Sequence, residues 1–279
     1  MDRLISQKQP RIGLALSGGS ARGIAHIGVL QALADHHIPI DCIAGTSSGA
    51  IVAAAFAFGY PLKKLQEKAK TLSWYSIANL PTSGLGLISN QSLGKVMEEF
   101  VGAADIRDAK IPLAIIATDI ETGEKVVFRS GNAALAVRAS ACIPGVFIPV
   151  EIEGRKLVDG GLSESLPLSS LQTLRPDIRI GVNAIHWHST KSVGNLIDVM
   201  SNAVDIAANH QKENPLRFAD IMIEPDLSDF GPSDFKKTDA IIAEGYRATM
   251  AQLPAIKEII GQQSPESPWG KIIHWFHKK

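Results

Sequence analysis

A serine stands inside a glycine frame at Gly45-Thr46-Ser47-Ser48-Gly49, where an apolar run gives way to the uncharged, alanine-rich stretch from Ala50 to Phe58. The pattern fits G-x-S-x-G, a turn from strand to helix so tight that its flanks take only small side chains. Such a turn exposes the central hydroxyl at the positive end of the following helix, as a nucleophile requires. Taken alone, the five residues also fit an ordinary Gly/Ser turn. A second glycine-rich turn, Ser17-Gly18-Gly19-Ser20-Ala21-Arg22-Gly23, follows another apolar run. Its glycines let backbone N–H groups converge on one point, which suits a developing oxyanion or a phosphate. A dinucleotide fingerprint is excluded because Ser20 stands where its middle glycine belongs, and no Gly-Lys-Ser/Thr follows for a nucleotide P-loop.

A serine hydroxyl needs a base to take its proton. Asp159, ahead of Gly160 and Gly161, is one candidate; His186 and His188 in "IHWHS" are others. The order Ser47, Asp159, then a histidine reproduces that of α/β-hydrolase triads. Against a triad, only one plausible strand precedes the strand that leads into Ser47, and no HGGG-type segment lies between the first strands. These residues alone leave a Ser–Asp pair and a Ser–His–Asp triad both open.

The elements that must carry these groups follow from periodicity. Arg11–Ser17 and Ile40–Thr46 read as buried strands; a helix with Ile24, Ile27, Leu30 and Leu33 on one face spans Arg22–His36, and Ala50–Tyr60 forms another. Strand and helix alternate, which implies parallel βαβ pairing. Further helices are expected at 61–72, 91–101, 133–140, 193–211 and 237–260. Strands are expected at 111–118 and 124–128 around a Glu-Thr-Gly turn, as a short pair in "VFIPVEIEGRKLVDGG", at 178–185 and in "RFADIMIEPD". The stretch Cys42–Leu62 is uncharged for about the length of a membrane span. Its Gly-Thr-Ser-Ser-Gly interruption and run of alanines favour a buried core helix.

The 28 basic and 28 acidic residues among 279 give no charge excess that points to nucleic acid. Two cysteines, Cys42 and Cys142, fit a reducing compartment and give no disulfide framework. The first residues lack a signal-peptide core. A cytoplasmic location is expected, with peripheral membrane contact possible through the tail "PWGKIIHWFHKK". There Trp269, Ile272, Ile273 and Phe276 share a helical face beside Lys271, Lys278 and Lys279. Docking of that face on the protein itself is the preferred reading of the two, since most amphipathic helices cover a core. No metal cluster and no cofactor are expected. The organisation reads as an N-terminal extension (1–10), one α/β unit with a mixed sheet (11–260) and a tail (261–279).

Taken together, "SGGSARG", "GTSSG" and "DGG", in that order and context, resemble the signature blocks of patatin-like phospholipases, with "ATDIETGE" and "RASACIPGVFIPV" similar to bacterial members. The resemblance covers about Arg11 to Leu168. It implies a three-layer α/β/α fold with a mostly parallel sheet and an acyl hydrolase acting on lipid or acyl-ester substrates. It further implies a Ser47–Asp159 dyad without a catalytic histidine, and an oxyanion hole from the backbone at Gly18, Gly19 and Ser20. Arg22, Gly23, Gly45, Gly49, Gly160 and Gly161 then support the motifs, Arg22 by pinning the glycine loop. Ser20 departs from the pattern, which commonly has glycine there, and serine restricts φ. A non-catalytic lipid- or protein-binding module on the same fold is the rival class. Leu85–Ser89, with Trp74 and Tyr75, is open to two readings, a segment that lines or covers an acyl groove and ordinary loop packing. Cys142 is expected to fill apolar space, and His26 to be packed or exposed rather than catalytic.

Overall fold

β1 (Ile12–Leu16), β2 (Cys42–Thr46) and β3 (Leu113–Asp119) are buried at every residue. Burial on both faces is why these runs read as continuous apolar stretches without alternation. The protein is seen in a computed structural model that describes residues 9–71, 85–185, 194, 196–209 and 218–263. The sheet has eight strands in the order β5-β6-β3-β2-β1-β7-β8, with β4 beside β3. β3, β2, β1, β7 (Ile178–Val182) and β8 (Ile221–Ile223) run parallel. β4 (Lys125–Phe128) and β6 (Arg155–Asp159) are antiparallel to β3, and β5 (Val150–Ile152) is antiparallel to β6. This is the expected mostly parallel sheet between helices.

The two helical layers are unequal. Ile12, Leu14, Leu16, Ile43 and Ile115 enter the larger core, beneath α1 (Ala25–Asp35), α2 (Ser48–Ala57), α4 (Gln91–Val101) and α5 (Ala133–Ser140). The alternate positions Ala15, Cys42, Ala44 and Ala114 are small and meet α6 (Leu168–Gln172), a five-residue helix that periodicity does not announce. α2 has Ala53, Ala54 and Ala55 fully buried and is the core helix expected of that uncharged stretch. Among the described residues no helix is long and apolar enough to cross a membrane. α3 (Leu62–Thr71), α4 and α5 form where their spacing predicts.

The first helix differs from its expected amphipathic form. A 3-10 turn covers Ser20–Ile24, and α1 begins only at Ala25, with His26, Gly28 and Val29 buried as well as the predicted apolar face. The reason is α8 (Thr238–Gln263), which lies against the side expected to meet water. A Cβ placed on Gly28 would come 1.9 Å from the Ile242 carbonyl oxygen, and one on Gly245 would come 2.0 Å from that of Ala25. The two backbones approach too closely for any side chain. Gly245→Ala is therefore expected to destabilise the fold by about 2 kcal/mol or more, read as a lower urea midpoint. An unchanged midpoint would contradict this contact.

Candidate active site

Pairing along β3 brings the distant sequence blocks together. β2 pairs with residues 113–116 of β3, β4 with 115–118, and β6 with 117–119. The overlap with β4 puts β2 and β6 on the same edge of β3, one after the other and in opposite directions. Their C-terminal ends therefore meet head to head, Thr46 opposite Ile116 and Asp159 opposite Ala117. Ser47 follows the first end, and Asp159 is the second.

Ser47 caps α2 with φ 53° and ψ −123°, a strained conformation for any side-chain-bearing residue. Its amide donates to Ser140 Oγ at 2.8 Å, which helps to hold the turn. A Cβ at Gly49 would lie 2.4 Å from the carbonyl oxygens of Leu16 and Ser17, and one at Gly45 2.5 Å from that of Gly49. A Cβ at Gly160 would likewise lie 2.2 Å from the Ile116 carbonyl oxygen, while one at Gly23 would run into the Ser48 side chain, 2.1 Å from its Oγ. Gly45, Gly49 and Gly160 are thus places where backbones touch.

Ser47 Oγ donates to Asp159 Oδ2 at 2.6 Å. The other carboxylate oxygen accepts the Gly161 amide at 2.8 Å, while the Asp159 amide donates to the Cys142 carbonyl and Thr118 Oγ1 donates to the Asp159 carbonyl. Asp159 is 2% exposed, and burial raises its pKa to about 7, against the opposing hydrogen bonds from Ser47 and Gly161. The Asp205 carboxylate adds to the rise. A carboxylate with this affinity is matched to neutral pH as a base.

The glycine loop crosses above this pair. Gly19 has φ 144° and Ser20 φ 54°, so serine adopts the left-handed backbone that glycine would take without strain. The Gly18 amide donates to the Ser165 carbonyl at 3.1 Å, which takes it out of the expected set of three free amides. Neither the Gly19 nor the Ser20 amide donates to another backbone group among the described residues. Arg22 is buried, donates through Nε to the Gly19 carbonyl at 3.3 Å, and forms an ion pair with Asp205 of α7 (Leu196–Asn209). Its side chain thereby links the glycine loop to α7.

Ser47 lies between two cavities. A groove of about 810 Å³, including the space at its open end, is lined by Ile27, Ile51, Leu65, Leu93, Phe100, Phe147 and other apolar side chains, with Ser47 and Ser20 at one end. On the other side a small pocket of about 10 Å³ is bounded by Ser20, Asp159, Ser165, Ser201 and Asp205. Leu85 and Leu87 point outward at 61% and 54% exposure, and the segment runs beside Phe147 through an Ile88 bridge instead of lining the groove. Trp74, Tyr75, His186, His188 and the tail residues 264–279 lie outside the described residues.

A match to a family model decides the kinship. Residues 14–171 match the model described as patatin-like phospholipase. The chain belongs to the patatin-like phospholipase family. An uncharacterized NTE family protein of Mycobacterium bovis is 38% identical over 184 residues, which is 65% of this chain and 51% of that protein. This patatin-like chain thus spans about half the length of that curated relative. A lysophospholipase NTE1 of Scheffersomyces stipitis is 31% identical over 58% of this chain and 11% of its own length. Among solved structures, VipD from Legionella pneumophila shares the fold, with a TM-score of 0.53 and 14% identity over 91% of this chain and 69% of that one.

Two further residues of the patatin-like site lacked an obvious motif. His26 is fully buried, with Nε2 donating to the Ser17 carbonyl at 2.8 Å; burial lowers its pKa to about 4, so it stays neutral beneath the loop. Asp205 is buried on α7 one turn after the buried Ser201. No local pattern marks it in the sequence, because its partner Arg22 lies 183 residues away. Cys142 is the expected apolar filler, its thiol pushed up to about 12 by burial.

Proposed function

We propose that this chain is a serine acyl hydrolase of the phospholipase A, lysophospholipase or esterase type, working through a Ser47–Asp159 dyad and an acyl-enzyme. The observation that carries the reading is the 2.6 Å hydrogen bond from Ser47 to Asp159 at the end of an apolar groove. A triad sets an imidazole between alcohol and carboxylate, and this separation leaves no room for one. Asp159 accepts the Ser47 proton as Oγ attacks the ester carbonyl. The Gly19 and Ser20 amides stabilise the oxyanion, each such donor being worth roughly 3 kcal/mol of barrier. Asp159 then delivers the proton to the leaving alcohol, and water repeats the cycle on the acyl-enzyme. The apolar groove suits the acyl chain, which favours lipid esters over small polar ones.

The direct test is labelling with a fluorophosphonate probe and mapping of the modified peptide. Modification of Ser47 supports the reading; a protein that neither labels nor hydrolyses p-nitrophenyl butyrate is a binding module instead. Because Asp159 must be ionised to act, kcat/KM is expected to rise with pH to a plateau, its midpoint near the carboxyl's pKa of about 7. A midpoint near the ordinary carboxylate value would deny Asp159 the role of base.

A further inference from the structure

Resting on the hydrolase reading, we propose that Asp205 of α7 is a positioning residue for the reaction. It holds the Gly19 loop through Arg22 and acts by its charge on Asp159 across the pocket they share. α7 touches both halves of the site. Asp205 forms a buried ion pair with Arg22, whose amide and Nε both donate to the Gly19 carbonyl, at 3.0 and 3.3 Å. That carbonyl belongs to the peptide whose amide is the Ser20 N–H, so its orientation sets where this N–H points. One residue earlier, Val204 packs on the turn after Asp159: a Cβ on Gly161 would come 2.9 Å from Val204 Cγ1. Ser201, one turn back, meets Ser20 through their hydroxyls at 3.4 Å. Base and loop therefore share one wall.

Among the described residues the charges around Asp159 are few. Asp205 faces it from α7 with Arg22 behind, and the Cys142 thiol beyond α5 stays protonated. The β3 side offers the Thr118 hydroxyl, and His26 beneath the loop is neutral. Removing the negative charge of Asp205 favours the Asp159 anion, and the Arg22 charge left behind acts in the same direction.

Asp205→Asn keeps the size and removes the charge. In the full chain acting on p-nitrophenyl butyrate, kcat is expected to fall roughly 10- to 100-fold with little change in KM. The acid limb of kcat/KM should move to lower pH by about half a unit or more. Asp205→Glu should return the limb toward its wild-type position. Arg22→Lys keeps the charge but lacks the second donor to Gly19, so kcat should fall while the limb stays. An Asp205→Asn variant with wild-type kcat, or one with reduced kcat and an unmoved limb, overturns the proposal. Should that variant not fold, an Arg22→Lys protein with wild-type kcat overturns it equally. A wild type without esterase activity sinks the hydrolase reading and this one together, whereas an active wild type lets this one fail alone.

Discussion

Ser47→Ala is expected to lower kcat for p-nitrophenyl butyrate by about four orders of magnitude or more and to abolish fluorophosphonate labelling. Without Oγ no acyl-enzyme forms, and removing a nucleophile leaves only the residual rate from binding and the oxyanion donors. The fold should survive, because the motif is held by backbone contacts at Gly45 and Gly49 and by the Ser140 hydrogen bond to the residue 47 amide. Ser47→Gly separates site from scaffold. It is equally inactive, but it relieves a φ of 53° and should be more stable than Ser47→Ala by about 1 kcal/mol. Wild-type turnover in Ser47→Ala would remove Ser47 as nucleophile.

Asp159→Asn should also abolish turnover, and the same change should make the protein more stable at neutral and alkaline pH. The Asp159 pKa is about 7 in the folded chain against 3.8 as its reference. Between those values the native state holds the proton more tightly than the unfolded one, so stability declines as pH rises through this window. Above it, the buried anion costs on the order of 4 kcal/mol. Asparagine avoids that cost and still offers an oxygen to Ser47. His26 acts with the opposite sign. Its pKa is lowered from 6.5 to about 4, so its neutral form contributes stability above 6.5 that is lost as pH falls toward 4. In the wild type the two slopes oppose each other; Asp159→Asn should expose the His26 loss as a steeper decline in acid. Urea unfolding of both proteins at about pH 8, 6 and 4.5 checks this. A variant less stable than wild type at the alkaline end would show that the buried carboxylate is not strained.

Much of the site was legible because its signals are local. A tight strand-to-helix turn demands small residues at fixed spacing, so Gly45, Gly49 and Ser47 stand out within five residues, and the Asp159-Gly160-Gly161 turn within three. α4 and α5 form at the limits read from the sequence, 91–101 and 133–140. Periodicity misread α1 because a second helix, more than two hundred residues later, covers the face it assigned to water.

By itself the sequence determined which residues could do chemistry and which local turns would hold them, since those depend on side-chain size and on hydrogen bonds between near neighbours. Only the tertiary structure decided that β2 and β6 share one edge of β3 and so join alcohol to carboxylate. It also decided that the Gly18 amide is taken by Ser165, and that Asp205 answers Arg22. Strand pairing and a buried charge pair bring together residues 112 and 183 positions apart, Ser47 with Asp159 and Arg22 with Asp205. No local period records such contacts, because they arise from the way whole elements close over a shared core.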